Sequence, residues 1–352
     1  MKILIAGMGG IGQRHLRNIH ALLGVEADVR AVDVRHDIPV LTDQLAVEAG
    51  VTLEGKYNLH IYPDLKLALD WKPEAVFVCN PTSLHIPTAM QAAQAGCHLF
   101  VEKPLSQNME QVEELINLTG SRKLTAVVGY QMRFHPCLQR LFELVREKKV
   151  GRIISVRADI GEYLPGWHSY EDYRQMYASR QDLGGGVILS QIHEMDYLYW
   201  LFGLPRSVYA LGGHLSRLEV DVEDTADILM NFSVDGQPVP VSLHEDYLQR
   251  PPSRGCTVIG ESGKILLDFP SMAVTVFDGE GKQVESTSYK NFQRNQMFLD
   301  ELTHFLNWPL PKKEARDSAA PLVSLRDAAK SLRMALAAKE SLATGKVIEL
   351  TR

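Results

Sequence analysis

The 352-residue chain has little cysteine: Cys79, Cys97, Cys137 and Cys256 stand far apart and form no C-x-x-C pair. That spacing excludes a disulfide framework and offers no thiolate cluster, so no metal site is expected. Reduced, mostly buried thiols in a cytoplasmic protein are the simplest account. A basic excess is lacking as well. With 37 Lys and Arg against 43 Asp and Glu the net charge is −6, which argues against a nucleic-acid or anionic-membrane partner. No uninterrupted apolar stretch approaches membrane-spanning length, and the short apolar N-terminus runs into glycines without a cleavage site. Repeats and low-complexity segments are absent. What is left is an ordinary globular composition, 45% hydrophobic and 23% charged, on a chain long enough for two domains.

The first residues carry the most specific pattern. Ile3 to Ala6 are apolar without alternation, as in a parallel strand covered on both faces. They lead straight into Gly7-Met8-Gly9-Gly10-Ile11-Gly12, a G-x-G-x-x-G sequence. Gly7 allows the tight turn, Gly9 lets backbone approach a pyrophosphate, and Gly12 lets the helix pack close to the strand. A helix opening near Gly10 and Ile11 aims free N–H groups at phosphates. A second apolar run, Val29 to Val32, ends in Asp33, 21 residues beyond Gly12. A carboxylate there accepts hydrogen bonds from a ribose and repels a 2′-phosphate, so NAD is favoured. Arg35 could face a phosphate if Asp33 turned away, which keeps NADP open.

Strand and helix then alternate. Asp43–Ala49 reads as helix, His60–Tyr62 as strand, Leu65–Asp70 as helix, and Glu74–Cys79 as a strongly apolar strand. His85–Ala95 is a helix, His98–Val101 a strand, Met109–Leu118 a helix, and Ala126–Gly129 a strand. This spacing predicts an α/β doubly wound parallel sheet whose ligands sit beyond the carboxyl ends of the strands. Three polar clusters fall at that edge: the glycine turn, Asn80-Pro81-Thr82-Ser83, and Glu102-Lys103-Pro104. From Arg152 onward strand-like runs joined by short turns dominate, with turn signals at Asp235-Gly236 and Ser262-Gly263. One helix near Ser190–Phe202 interrupts them, and helices near Phe292–Phe305 and Ser324–Leu342 close the chain. The expectation is an α+β second domain with a mainly antiparallel open sheet. A boundary near Tyr130 gives residues 1–129 and 130–352.

Two groups stand out chemically. Lys103 follows a strand at the ligand edge, where its ammonium can hold a substrate hydroxyl and steady alkoxide character as hydride leaves. Pro104 is a candidate for a cis bond. Gly184-Gly185-Gly186 precede a helical segment carrying His193 and Asp196, and His193 is the best candidate for acid–base work. Each has a plain structural alternative: a surface loop lysine, and a satisfied helix histidine.

The glycine turn, Asn80-Pro81 with His85, Glu102-Lys103-Pro104, Gly129-Tyr130-Gln131-Met132-Arg133-Phe134, and the glycines leading to His193-Glu194-Met195-Asp196 occur in this order. Together they resemble the Gfo/Idh/MocA family, the glucose-fructose oxidoreductase and inositol dehydrogenase relatives, across essentially the whole chain. The resemblance implies that Lys103 contacts substrate and cofactor and that His193 is the acid–base. It also implies homodimers or homotetramers formed through the second domain's sheet. Gly7, Gly9, Gly10, Ile11, Gly12, Asp33, Arg35, Asn80, Pro81, His85, Glu102 and Lys103 are the cofactor candidates. Many members place an aspartate three or four residues before the histidine; here Leu189 and Ser190 stand there, leaving Glu194 or Asp196 to compensate.

Tyr163, Trp167 and Tyr170 to Arg180 form a stretch rich in aromatics and arginines. Aromatic faces suit sugar C–H faces, and arginines pair with carboxylate or phosphate. Lys103, Arg133, Tyr163, Trp167, Arg180, Gln191 and His193 are the substrate candidates, for a sugar, amino sugar, sugar nucleotide or sialic-acid-like compound with an anionic group. Interdomain packing is the structural alternative for this stretch. The expected function is an NAD-dependent oxidoreductase acting on a secondary hydroxyl. An NAD-dependent glycosidase using transient oxidation and a non-catalytic dinucleotide sensor are the alternatives.

Overall fold

A computed structural model describes residues 1–307 and 323–350. The chain opens with β1 (Lys2–Ala6), α1 (Gly10–Leu23), β2 (Asp28–Val32), α2 (Leu53–Tyr57), β3 (His60–Tyr62), α3 (Leu65–Asp70) and β4 (Ala75–Val78). It continues through α4 (His85–Gln94), β5 (His98–Glu102), α5 (Val112–Ser121) and β6 (Ala126–Gly129). The six strands pair in parallel in the order β3-β2-β1-β4-β5-β6. This is the doubly wound order that places a ligand crevice beside β1, where the order reverses. The lack of alternation in the apolar runs has its cause here. Leu4, Val76, Val78, Leu99 and Val101 enter one core, while Ile3, Ile5, Phe77 and Phe100 enter a second on the other face.

Two local expectations give way. Asp43–Ala49 is not a helix: Thr42 N–H bonds the Ala46 carbonyl (2.9 Å), Thr42 Oγ1 accepts the Ala46 N–H (3.1 Å), and Leu41 bridges Val47. A threonine at the start of so short a segment offers local bonds that compete with helix nucleation. The helix forms later, as α2, where Thr52 Oγ1 caps the Gly55 N–H. Likewise α5 starts at Val112 rather than Met109, behind Gln111 in the left-handed region.

Beyond β6 come α6 (Pro136–Arg146), β7 (Ile153–Gly161), α7 (Val187–Ser190), α8 (His193–Phe202), β8 (Ser207–Gly213), β9 (Thr225–Val234) and β10 (Gln237–Asp246). There follow β11 (Ser253–Gly260), β12 (Gly263–Asp268), β13 (Ala273–Asp278), β14 (Gln283–Ser288), α9 (Asn295–Asn307), β15 (Val323–Ser324), α10 (Leu325–Thr344) and β16 (Ile348–Glu349). The helix expected over Ser190–Phe202 is thus two pieces, broken at Gln191-Ile192. Nine strands form one sheet in the order β14-β13-β12-β11-β7-β10-β9-β8-β16, antiparallel except for β7 beside β10. Its inner face, with Ile228, Met230, Val241 and Leu243 buried, packs under α7, α8 and α10. Its outer face carries a registered row of Tyr209, Leu229, Ser242, Arg157, Thr257 and Leu266.

The chain then returns to its beginning. β15 adds an antiparallel edge to β6, and Leu302, Phe305 and Leu306 of α9 join the core of Ile3, Phe77 and Phe100. All four cysteines are free and buried. Among the described residues no helix is long and apolar enough to cross a membrane.

Candidate active site

The glycine turn lies at the carboxyl end of β1. Gly7 has a φ of +101°, and a Cβ there would sit 2.7 Å from the backbone of Cys79 and Asn80. A Cβ at Gly12 would run into the Gly7 carbonyl, which is how closely α1 packs on β1. Gly9 differs, because the space beside it is open. The first turn of α1, from Gly10 and Ile11, has no side-chain cap and no acidic residue, so its free N–H groups are offered to an anion.

Asp33 stands beyond β2. Its Oδ2 accepts the Met8 N–H (2.7 Å) and its Oδ1 the Arg35 N–H (2.9 Å). The Arg35 guanidinium forks onto the same carboxylate at 3.0 and 2.8 Å. Burial disfavours the Asp33 charge, but the Arg35 and Met8 bonds outweigh it and hold the carboxyl below its usual range. The cation suited to a 2′-phosphate is therefore bound to the carboxylate suited to a ribose.

The second and third clusters are tied together from behind. His85 is 2% exposed, with Nδ1 2.7 Å from the Pro104 carbonyl and Nε2 2.9 Å from the Asn80 carbonyl. Burial lowers its pKa, against the pull of the two carbonyls. The ring thus braces the Asn80-Pro81 turn against the cis Lys103-Pro104 bond and does not face a ligand. Glu102 is similarly turned inward, 2.7 Å from His15 Nε2. Asn80 offers its Nδ2 to Thr88 (2.8 Å), which leaves Oδ1 buried and unpartnered.

Lys103 Nζ donates to the Ser190 carbonyl at 2.9 Å, joining the carboxyl end of β5 to the end of α7. His193 is 8% exposed; its Nε2 lies 3.2 Å from the Gln131 side-chain amide and its Nδ1 is buried without a partner. Burial first, then the charges of Lys103, Arg254 and Arg294, push its pKa well below the ordinary histidine value. Neither Glu194 nor Asp196, the carboxylates left to compensate for the missing aspartate, is bonded to the ring. Glu194 is forked onto Arg254 (2.7 and 3.1 Å), and burial raises its pKa to about 7. Asp196 is forked onto Arg133 at 2.8 Å twice. Gln131 orients His193 instead, a role that its place two residues before Arg133 did not reveal.

Of the substrate candidates, Lys103, Gln191 and His193 gather at one place. Gln191 is 3% exposed, donates to the Asp246 carbonyl (3.3 Å), and has an unpartnered Oε1. Trp167 packs edge-on against Tyr247, and its buried Nε1 has no partner. Tyr163 lies under the Arg250 guanidinium, 3.9 Å from the ring centroid. Arg133 is a correction: 4% exposed and spent on Asp196, it is not free to bind a ligand. Arg180 is forked onto Asp182 at 2.9 and 2.7 Å. Besides Lys103, the cations that act on the site are Arg254 and Arg294: after burial they lower the pKa of His193, and burial with the same two arginines brings His135 down to about 4. The chain neighbours of Arg294 are fixed: the Phe292 ring meets His135 at 5.5 Å, and Asn295, next to Arg294, is bonded to Arg14 and Asn18. The isolation of Arg294 among loop residues gave no signal in the sequence.

A dinucleotide fits these residues. The open space at Gly9, the uncapped start of α1, and Asp33 at the end of β2 would hold phosphates and ribose. Asn80 Oδ1, Gln191 Oε1 and His193 Nδ1 are buried without a partner in the protein, which leaves them for polar groups of a ligand. Residues 1–130 match the family model described as an oxidoreductase family with NAD-binding Rossmann fold, and residues 138–266 match a Gfo/Idh/MocA C-terminal domain. A myo-inositol 2-dehydrogenase of Thermotoga maritima is 26% identical over 369 residues, covering 99% of this chain and 98% of its own length. Two solved structures share the fold over 100% of this chain and 99% of theirs, each at 22% identity. They are a myo-inositol 2-dehydrogenase from Lactobacillus plantarum (TM-score 0.77) and the WlbA dehydrogenase from Bordetella pertussis in complex with NADH and UDP-GlcNAcA (TM-score 0.76).

Proposed function

The chain belongs to the Gfo/Idh/MocA oxidoreductase family and carries its NAD-binding Rossmann domain; from that premise we propose that it oxidises a secondary hydroxyl of a sugar-type substrate bearing an anionic group. The observation that carries this reading is the meeting of Lys103, bonded to the Ser190 carbonyl, with His193, whose Nδ1 is buried and unpartnered. Bound nicotinamide supplies the hydride acceptor. His193 is neutral, held at Nε2 by the Gln131 amide, and Nδ1 is left to take the hydroxyl proton. The amide orientation in which Gln131 accepts from Nε2–H frees the Nδ1 lone pair, and a half-turn of the amide reaches it. Lys103 turns its ammonium from a backbone carbonyl to the substrate oxygen, where it stabilises developing negative charge.

Arg294, whose charge reaches His193 and His135, supplies the cation for an anionic group; Arg254 is already forked onto Glu194. The related dehydrogenases act on myo-inositol or were crystallised with UDP-GlcNAcA. Those two compounds are the first to offer the purified protein with NAD, following reduced nicotinamide by absorbance. Reduction with the acidic sugar nucleotide and none with inositol supports the anionic reading; the reverse removes it. On the same reading the outer sheet face, with exposed Leu211, Leu229 and Leu266, forms the homo-oligomer contact.

A further inference from the structure

The stretch after β7 leaves the second sheet, and Tyr170 within it reaches the glycine turn of the first. His168 and Tyr170 stack with centroids 5.1 Å and planes 19° apart, and Glu171 Oε1 lies 2.6 Å from His168 Nδ1. A methyl group added at Gly10 would meet the Tyr170 hydroxyl at 3.1 Å, and that hydroxyl lies 3.3 Å from His168 Nδ1. Gly10 is at the uncapped end of α1, where a dinucleotide phosphate belongs. Asp33 first, then Glu171 and Tyr170, lie close enough to Arg35 to favour its charge.

We propose that His168 to Glu171 form a strap over the cofactor, in which Tyr170 closes on the glycine turn and Glu171 draws Arg35 away so that NAD is selected over NADP. The proposal rests on the reading of this chain as a dinucleotide-dependent enzyme. Its logic starts at Asp33, whose two oxygens accept from the Met8 N–H and from the N–H, Nε and Nη2 of Arg35. A ribose hydroxyl that donates to Asp33 must displace part of this fork. A displaced guanidinium is the group that would otherwise capture a 2′-phosphate. Glu171 offers Arg35 a second carboxylate and sets its own negative charge against that phosphate. Asp33 and Arg35 alone, one favouring each cofactor, leave the preference balanced; the strap tips it.

The test is calorimetric titration of NAD and NADP into the wild-type chain, Glu171→Gln and Tyr170→Phe. Intrinsic tryptophan fluorescence, to which Trp167 beside the strap contributes, is a second readout of binding. Glu171→Gln is expected to tighten NADP about fivefold while NAD changes little, the scale of a half-exposed charge pair. Tyr170→Phe is expected to weaken both about fivefold and leave their ratio unchanged, the scale of one lost hydrogen bond. A Glu171→Gln protein with the wild-type ratio, or a Tyr170→Phe protein that binds both as the wild type does, overturns the proposal. A wild-type chain that binds neither dinucleotide overturns the underlying reading instead.

Discussion

Arg133 and Asp196 face each other through two parallel hydrogen bonds of 2.8 Å, with 4% and 2% of their side chains exposed. Ser331 of α10 adds a third bond to Asp196 at 3.1 Å, and the Trp200 ring lies 5.6 Å from the guanidinium. The fork pins the turn that follows β6, which carries Gln131, to the helix that begins with His193. It therefore sets the geometry of the acid–base pair from behind, without touching a ligand.

Removing the arginine should be costly to the fold and nearly silent in cofactor binding. Arg133→Met leaves a buried carboxylate without its counter-charge, a loss of about 3–5 kcal/mol. Urea unfolding reads this directly. A variant as stable as the wild type would mean that the fork does not hold the two segments together, whereas an NAD affinity lost in the folded variant would restore Arg133 to the ligand site.

Lys103 is the opposite case. It is half-buried and its ammonium donates to a backbone carbonyl, so Lys103→Met strands no buried charge. Stability and NAD affinity should change little, while turnover falls by about 10²–10³, the scale of losing one preorganised donor to an oxyanion. Turnover within a few-fold of wild type would sink the proposed role.

The low pKa of His193 has a sign that can be read in a rate profile. Only the neutral ring can take a proton, and burial together with Lys103, Arg254 and Arg294 keeps it neutral below the ordinary value. Oxidation should thus stay on a plateau as pH falls from about 8 past about 6.5, where an unperturbed histidine would lose half its activity. A midpoint at the ordinary value would place His193 beside a carboxylate or water. Stability runs the same way. Below about 6.5 the unfolded chain binds protons that folded His193, and His135 down to about 4, refuse. Their contribution is full above that value and is lost as pH falls through the acid range, which unfolding curves at pH 7 and about 5 would show.

Much of this was legible along the chain because it is local. Each parallel strand is an apolar run ending in a polar turn, and the glycine turn, Asp33 and Lys103 all sit at such ends. What could not be read was which distant group each charge would meet. Arg133 pairs across 63 residues and Arg254 across 60, and nothing in either segment names its partner. The same holds for α9: its amphipathic pattern marks a helix, but only packing decides that Leu302 and Phe305 cover the first sheet. His193 shows the limit most directly. The absence of an aspartate before it was visible, whereas its replacement by Gln131 is a product of the fold.

The glycine turn offers the cleanest separation of fold from ligand. At Gly12 an added methyl would collide with the Gly7 carbonyl, a backbone atom with nowhere to go, so Gly12→Ala must push α1 off β1. At Gly9 the backbone is extended, with φ −70°, and a methyl meets nothing within 4 Å. An alanine there fits the protein and fills only the space that a pyrophosphate would take. Gly9→Ala should keep the wild-type melting temperature and weaken NAD at least about tenfold, whereas Gly12→Ala should lose stability by about 1–3 kcal/mol, as overpacking does. Thermal melts with and without NAD distinguish them: wild type gains on adding NAD, and Gly9→Ala starts level with it but gains little. An equal gain in Gly9→Ala would move the pyrophosphate away from Gly9, and an undisturbed Gly12→Ala would show that α1 does not need the close contact.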